Sequence, residues 1–338
     1  MNADPSAHLL PLEESRRRFD EQIVPQRLAH GVRQERPVLV IVAGPPGSGK
    51  TAVENRVRAD LGGGAVVVDA DAMRIYHPDY VTLALRNDRL ASPATHPDAT
   101  RWANMAVAHC IEHGYDLVLS TTLRTAATVD YLSSRVRPAA YRIEIAALAV
   151  HEAASRLGVL RRYQDGRDDA GFGRYVPTAF QQDAYGGLLS ALDRVDDARL
   201  ADVVNVYRRD GHLLYHNELG PGGDWVRPPG ARAAVEAGRA RSWSAEEITV
   251  FLAQAEGLRA RLPADLHEDL RIAVQAARDH IAASGGTPDV GGFLRAAFPS
   301  ALRAQFGARG TAGRPAGGAA VSHRFPGPPA RPGSDQAR

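Results

Sequence analysis

The sequence predicts an α/β fold, a mostly parallel β-sheet flanked by helices, and three observations carry that prediction. Pro37-Val38-Leu39-Val40-Ile41-Val42-Ala43 is a continuous apolar, largely β-branched run, the pattern of a strand buried on both faces. It leads directly into a glycine-rich turn and then a helical pattern beginning at Thr51. Further apolar runs alternate with helical stretches down the chain, which implies right-handed crossovers and parallel pairing.

At 338 residues the chain exceeds an ordinary single domain, so one α/β domain with attachments is expected. Residues 1–36 place Leu9, Leu10, Leu12, Phe19, Ile23, Val24 and Leu28 among charges, predicting one or two short amphipathic helices broken at Pro25 and packed on the core. Residues 37–218 form the α/β domain. After the first strand comes a helix from Thr51 to Leu61, stopped by Gly62-Gly63-Gly64, and a second strand from Ala65 to Asp69. A polar stretch from Asp71 to about Leu90 precedes a helix from Pro97 to Gly114 that carries Trp102, Met105, Ala106, His109 and Cys110. A third strand at Asp116–Ser120, a fourth at Tyr141–Val150, a helix at Glu152–Gln164, a polar segment at Asp165–Val176, a helix from Pro177 and a last strand at Ala201–Tyr207 follow. Gly220-Pro221-Gly222-Gly223 and Pro228-Pro229-Gly230 mark residues 219–243 as a linker. Residues 244–303 read as a helical appendage, and residues 304–338, rich in Gly, Pro and Ala, as a disordered tail.

A net charge of +2, with 44% hydrophobic and 24% charged residues, gives no electrostatic pull toward nucleic acid or membrane. The lone Cys110 lies in an apolar helical stretch and reads as a core residue in a reducing compartment. No run approaches the roughly 20 apolar residues of a membrane span, and the N-terminus has no apolar signal core, so a cytoplasmic protein is expected. No zinc site is assigned to the histidines.

The chemistry concentrates at Gly44-Pro45-Pro46-Gly47-Ser48-Gly49-Lys50-Thr51, a Gly-x4-Gly-Lys-Thr phosphate loop between a buried strand and a helix. Gly44, Gly47, Ser48 and Gly49 let backbone N–H groups converge on phosphate oxygens; Lys50, the sole lysine, reaches the β and γ phosphates, and the Thr51 hydroxyl can ligate Mg²⁺. This is a P-loop NTPase or kinase-like arrangement for ATP, without the glycine spacing of a dinucleotide site. Asp69 and Asp71 follow the second strand, whose carboxyl end opens into the ligand crevice. Either can take a proton from an attacking hydroxyl, hold Mg²⁺ through water, or cap the next helix. Arg162 and Arg174 flank a polar, glycine-containing segment with the look either of a mobile lid, whose arginines can stabilise charge on a transferred phosphoryl group, or of a solvated basic helix end. Ser120-Thr121-Thr122-Leu123-Arg124-Thr125 ends the third strand without the usual acidic residue, so Asp69 or Asp71 must help hold the metal.

Together, the phosphate loop, Asp69-Ala70-Asp71 with His77-Pro78 after it, Gly114-Tyr115-Asp116-Leu117-Val118 leading into Thr122-Leu123-Arg124-Thr125, and Arg162-Tyr163 followed by Arg174 resemble the zeta toxin family over about residues 37–217. The resemblance implies a P-loop kinase of the toxin–antitoxin type that phosphorylates the amino-sugar hydroxyl of UDP-N-acetylglucosamine, with a separate antitoxin protein as a possible partner. It further implies Asp71 as general base, Lys50 and Thr51 on ATP and Mg²⁺, Asn104, Thr122 and Arg124 toward the sugar nucleotide, and Arg162 and Arg174 as phosphate clamps. Two positions depart from the family pattern: Asn104 stands where a substrate-binding Glu is common, and Ser120 where an acidic residue commonly ends the strand. Another small-molecule hydroxyl as acceptor, on an antibiotic or a nucleoside, and a non-catalytic nucleotide-binding switch remain the alternatives.

Overall fold

A computed structural model describes residues 8–284. The first seven residues, the last part of the expected helical appendage and the expected tail at 304–338 lie outside the described residues. The described residues fall within one compact unit.

Six strands form one sheet: β1 (Val38–Ala43), β2 (Val66–Asp69), β3 (Leu117–Thr121), β4 (Arg142–Leu148), β5 (Val203–Tyr207) and β6 (Leu213–Glu218). Their order is β2-β3-β1-β4-β5-β6, parallel except for the antiparallel β5–β6 pair. The predicted last strand is therefore followed by one more, because a short turn at Arg208–His212 folds the chain back along β5. The alternation of strand side chains explains the apolar run of β1. Leu39, Ile41 and Ala43 enter the core on one face, while Val40 and Val42 pack with Val53, Val118, Ala146 and Leu148 on the other.

Eleven α-helices surround the sheet among the described residues. α1 (Leu12–Arg18) runs into a π-helical segment, Phe19–Leu28, that contains Pro25. The expected break at Pro25 does not occur. The ring removes an ordinary helical donor, and the wider turn accommodates it, with Ala29 N–H donating to Val24 O five residues back. Phe19, Ile23 and Leu28 are buried, and Trp102 Nε1 donates to Ser15 O at 2.9 Å.

α2 (Lys50–Asp60) follows the glycine turn, and α3 (Ala70–Met73) follows β2. α4 (Tyr80–Arg86) and α5 (Asp88–His113) occupy the stretch expected to be mixed. α5 starts well before Pro97 because Asn87 caps it, accepting from Arg89 N–H, and it carries both Pro93 and Pro97. α6 (Ala126–Val136) connects β3 to β4 and was not anticipated. α7 (Glu152–Ala170) extends past Gln164 into the polar segment, and α8 (Thr178–Ala198) starts after Pro177.

The expected linker at 219–243 is corrected by α9 (Ala231–Ala240), which packs on α8, β5 and β6. Its buried face is made of small residues: Ala231 and Val235 join the core, and a Cβ on Gly238 would meet Ala149 and Leu214 at 2.6 Å. α10 (Ala245–Arg259) and α11 (His267–Ala283) pack on α7. No helix among the described residues is long and apolar enough to cross a membrane.

Candidate active site

The carboxyl ends of β1, β2 and β3 lie on one edge of the sheet, since Val42 and Asp69 are both in register with Ser120. The chain leaves β1 toward β2 and β3 on one side and β4 on the other, and a crevice opens at such a reversal. The phosphate loop occupies it. Gly47 and Gly49 have φ of 75° and 91°, a region open to glycine at little cost. Lys50 Nζ donates to Gly44 O at 2.9 Å and to Pro45 O at 3.4 Å, folding back over the loop it ends. Burial, then the charge of Arg162, lowers the Lys50 pKa to about 8. Ser48 Oγ is fully buried and has no partner, and Thr51 is exposed on the first turn of α2.

α7 braces the loop from the other side. A Cβ at Gly158 would come within 2.3 Å of Gly47 O, one at Gly47 within 2.2 Å of Ser155 O, and Ser155 Oγ donates to Pro46 O at 2.7 Å. Arg162 is one turn beyond Gly158 on the same helix face, and its charge bears on both Lys50 and Asp71. Arg209, on the β5–β6 turn, packs where a Cβ on Gly49 would meet it at 3.3 Å, and donates to Ala154 O.

Asp69 is the N-cap of α3, its Oδ1 accepting from Asp71 N–H at 2.8 Å. That bond turns Asp71 into the first helical turn. Arg74 Nη2 lies 3.0 Å from Asp71 Oδ1, and Arg174 Nη1 lies 2.7 Å from Oδ2. Burial acts to raise the Asp71 pKa, yet Arg174, then Arg74 and Arg162, overcome it and hold the carboxyl well below its usual range. Asp69 moves the other way, raised by burial and then by the charge of Asp71. Arg74 is buried; it also donates to Ser92 O and meets His96 Nδ1 at 3.3 Å. Burial, then Arg74, lowers the His96 pKa.

Thr121 Oγ1 accepts from Leu123 N–H at 3.2 Å, and Leu123 has a left-handed φ of 48° with its side chain fully buried. This turn presents half-exposed Thr122 and exposed Arg124. Arg124 lies over the Phe180 ring at 5.2 Å and 3.8 Å from Asp183, both on α8; Gly187 lets α8 approach the Arg124 backbone.

The structure thus brings Lys50, Asp69, Asp71, Arg162 and Arg174 together around the loop. Asn104 is exposed on α5, eight residues past His96. Three residues escaped the sequence reading. Arg74 was invisible in the undifferentiated stretch after Asp71, Arg209 lay in a turn read as the end of the sheet, and Glu54 sat in a helix with no motif. Ser120 Oγ donates to Glu54 Oε1 at 2.6 Å. The lid segment is also less free than its composition suggests. Gly173 N–H and Arg167 both donate to Asp88 Oδ2, and Arg89 lies 4.5 Å over the Tyr175 ring.

Thr51 and Asp69 offer a hard cation oxygen donors alone, the donor type Mg²⁺ takes, and the unpartnered Ser48 Oγ leaves a further hydroxyl in the loop.

The sequence matches the Zeta toxin family over residues 25–220, more than half of the chain. The Toxin zeta of Enterococcus hirae is 25% identical over 182 residues, which cover 54% of this chain and 64% of that protein. The Toxin zeta of Streptococcus agalactiae is 25% identical over 196 residues, 58% of this chain and 67% of its own. The chain thus spans about two thirds of the length of these relatives. A solved structure from the characterisation of the PezAT chromosomal toxin-antitoxin system of Streptococcus pneumoniae aligns with a TM-score of 0.62 at 18% identity, covering 74% of this chain and 98% of that one. That likeness shows a shared fold.

Proposed function

Because this chain belongs to the Zeta toxin family, we propose that it is an ATP-dependent phosphotransferase acting on a small-molecule alcohol, with the sugar hydroxyl of UDP-N-acetylglucosamine as acceptor. One observation supports the reading above all others: Asp71, an ionised carboxylate beside the phosphate loop, is held at 2.7 Å by Arg174 and at 3.0 Å by Arg74. A hydroxyl-activating group and phosphate-binding cations stand within one cluster.

In this reading ATP lies on the N–H groups of Gly44–Thr51, and Lys50 turns from its loop carbonyls to the β and γ phosphates. Thr51 and Asp69 would hold Mg²⁺, which supplies neutralisation of phosphate charge when bound. Arg174 transfers from Asp71 to the γ-phosphoryl oxygens and joins Arg162 there. That exchange also frees the base, because removing a guanidinium from Asp71 raises its basicity as the donor arrives. The acceptor oxygen attacks the γ-phosphorus in line, its proton passes to the Asp71 carboxylate, the bond from phosphorus to the bridging oxygen breaks, and ADP leaves. A loose transition state asks little of a base early on, so a carboxylate suffices. Thr122 and Arg124 line the acceptor side.

By the same family relation we propose a separate antitoxin protein as partner, one that masks the nucleotide site.

The test is mass spectrometry of UDP-N-acetylglucosamine after incubation with protein, ATP and Mg²⁺, with Lys50→Ala beside the wild type. Gain of one phosphoryl group by the wild type alone supports donor and acceptor together. ATP binding with no product on this acceptor, but product on another small-molecule hydroxyl, would reassign the acceptor.

A further inference from the structure

The third strand lacks its terminal acid, yet a carboxylate stands at that place. Glu54 lies one turn into α2, at i+3 from Thr51 and i+4 from Lys50, so all three share a helix face. Helical side chains lean toward the helix N-terminus, which points Glu54 back toward the phosphate loop. There Ser120 Oγ donates to Glu54 Oε1 at 2.6 Å, and Ser120 is the residue in register with Asp69 on β2. Glu54 is half-buried, and its charge reaches Lys50 and Asp69 alike. In the phosphate loop itself, the fully buried Ser48 Oγ has no hydrogen-bond partner.

We infer that Glu54, held in place by Ser120, is the second carboxylate of the divalent-cation site and does from α2 what an acidic residue at the end of β3 would do. The inference rests on the nucleotide reading above and deepens it. Oε1 is committed to Ser120, and Oε2 is left to accept from the water shell of the cation or to meet it directly. Mg²⁺ keeps several waters and binds through one or two carboxylates, so Asp69 and Glu54 together with the Thr51 hydroxyl would make an ordinary set. The departure at Ser120 is then an exchange: the carboxylate has moved to α2, and the strand has kept a hydroxyl to orient it.

Mn²⁺ is the probe, read by the loss of the free-ion paramagnetic resonance signal on titration into full-length protein with ADP. Glu54→Gln, nearly isosteric, should weaken Mn²⁺ binding at least tenfold while ADP affinity in EDTA stays within twofold of wild type. Ser120→Ala should weaken Mn²⁺ binding by a smaller factor, about two- to fivefold. The exchange variant Glu54→Ser with Ser120→Glu should recover binding to within about threefold, a result that loss of folding cannot mimic. Equal Mn²⁺ affinity in Glu54→Gln and wild type, both binding ADP, overturns the role of Glu54 and leaves the nucleotide reading intact. A wild type that binds no ADP at all overturns both.

Discussion

Beside the phosphate loop, Asp71 and Lys50 are shifted with opposite effect on charge: the carboxyl pKa is held well below its usual range, and the ammonium pKa is lowered to about 8. Asp71 is held ionised by Arg174 and Arg74 at 2.7 and 3.0 Å. Asp71→Asn removes the anion those arginines attend, so ATP affinity by calorimetry should be unchanged or tighter; a marked loss would mean that Asp71 shapes the donor site itself. Lys50 has its pKa lowered to about 8 by burial and by Arg162, so the free protein loses this charge as pH rises through about 8. ATP favours the ammonium form and raises that pKa. Binding should therefore take up ~0.5 proton at pH 8, and affinity should be flat below about pH 7 and weaken above pH 8. Calorimetry in buffers of differing ionisation enthalpy measures the uptake, and Lys50→Arg should abolish it because a guanidinium stays protonated. The residues of this pairing were legible because the loop is contiguous and Asp71 follows a plain strand end. Arg74 was not, since its role depends on a helical turn set by the Asp69 cap, and Glu54 was not, since its partner Ser120 is 66 residues away.

α7 is the element on which, in the proposed reading, the phosphate loop and Arg162 depend together. Ser155 and Gly158 press on the phosphate loop, and Arg162 follows one turn later, so one rigid helix fixes the loop relative to the arginine. Gly158→Ala would place a methyl 2.3 Å from Gly47 O. Such overpacking costs about 1–3 kcal/mol, and here the strain falls on the loop: a lower melting temperature with at least tenfold weaker ATP binding is expected, whereas unchanged binding would show the loop to be independent of α7. Nothing in the chain's pattern marks this contact, because a glycine inside a helical pattern looks merely tolerated. α9 was hidden for a related reason. Its buried face is Ala231, Val235 and Gly238, too small to read as an apolar stripe, and glycines and prolines precede it. The parallel strands, by contrast, were legible from their apolar runs, since burial on both faces leaves few other ways to use Val, Ile and Leu in series.

At the scale of the molecule, the C-terminal helices join the structure that positions the arginines. Arg261 pairs with Asp168 at 2.6 Å near the end of α7, Thr178 Oγ1 at the start of α8 donates to Asp269, and the His280 ring lies 4.1 Å from that of the α7 cap His151, tilted by 32°. These contacts bracket the segment that carries Arg174. Leu270 on α11 is fully buried, and Leu270→Ala should cost about 2–5 kcal/mol within a single thermal transition that ATP shifts upward as a whole; a separate, ATP-insensitive transition would mark α10 and α11 as an independent module. The central claim, phosphoryl transfer with Asp71 as base, is tested most directly by rapid quench of one turnover of γ-labelled ATP with UDP-N-acetylglucosamine, on wild type and Asp71→Asn saturated with nucleotide. The account predicts label on the acceptor from the wild type and transfer slowed about 10²–10⁴-fold in Asp71→Asn. Equal transfer by the two proteins, or nucleotide bound by the wild type with no label moved to any hydroxyl acceptor, would contradict it.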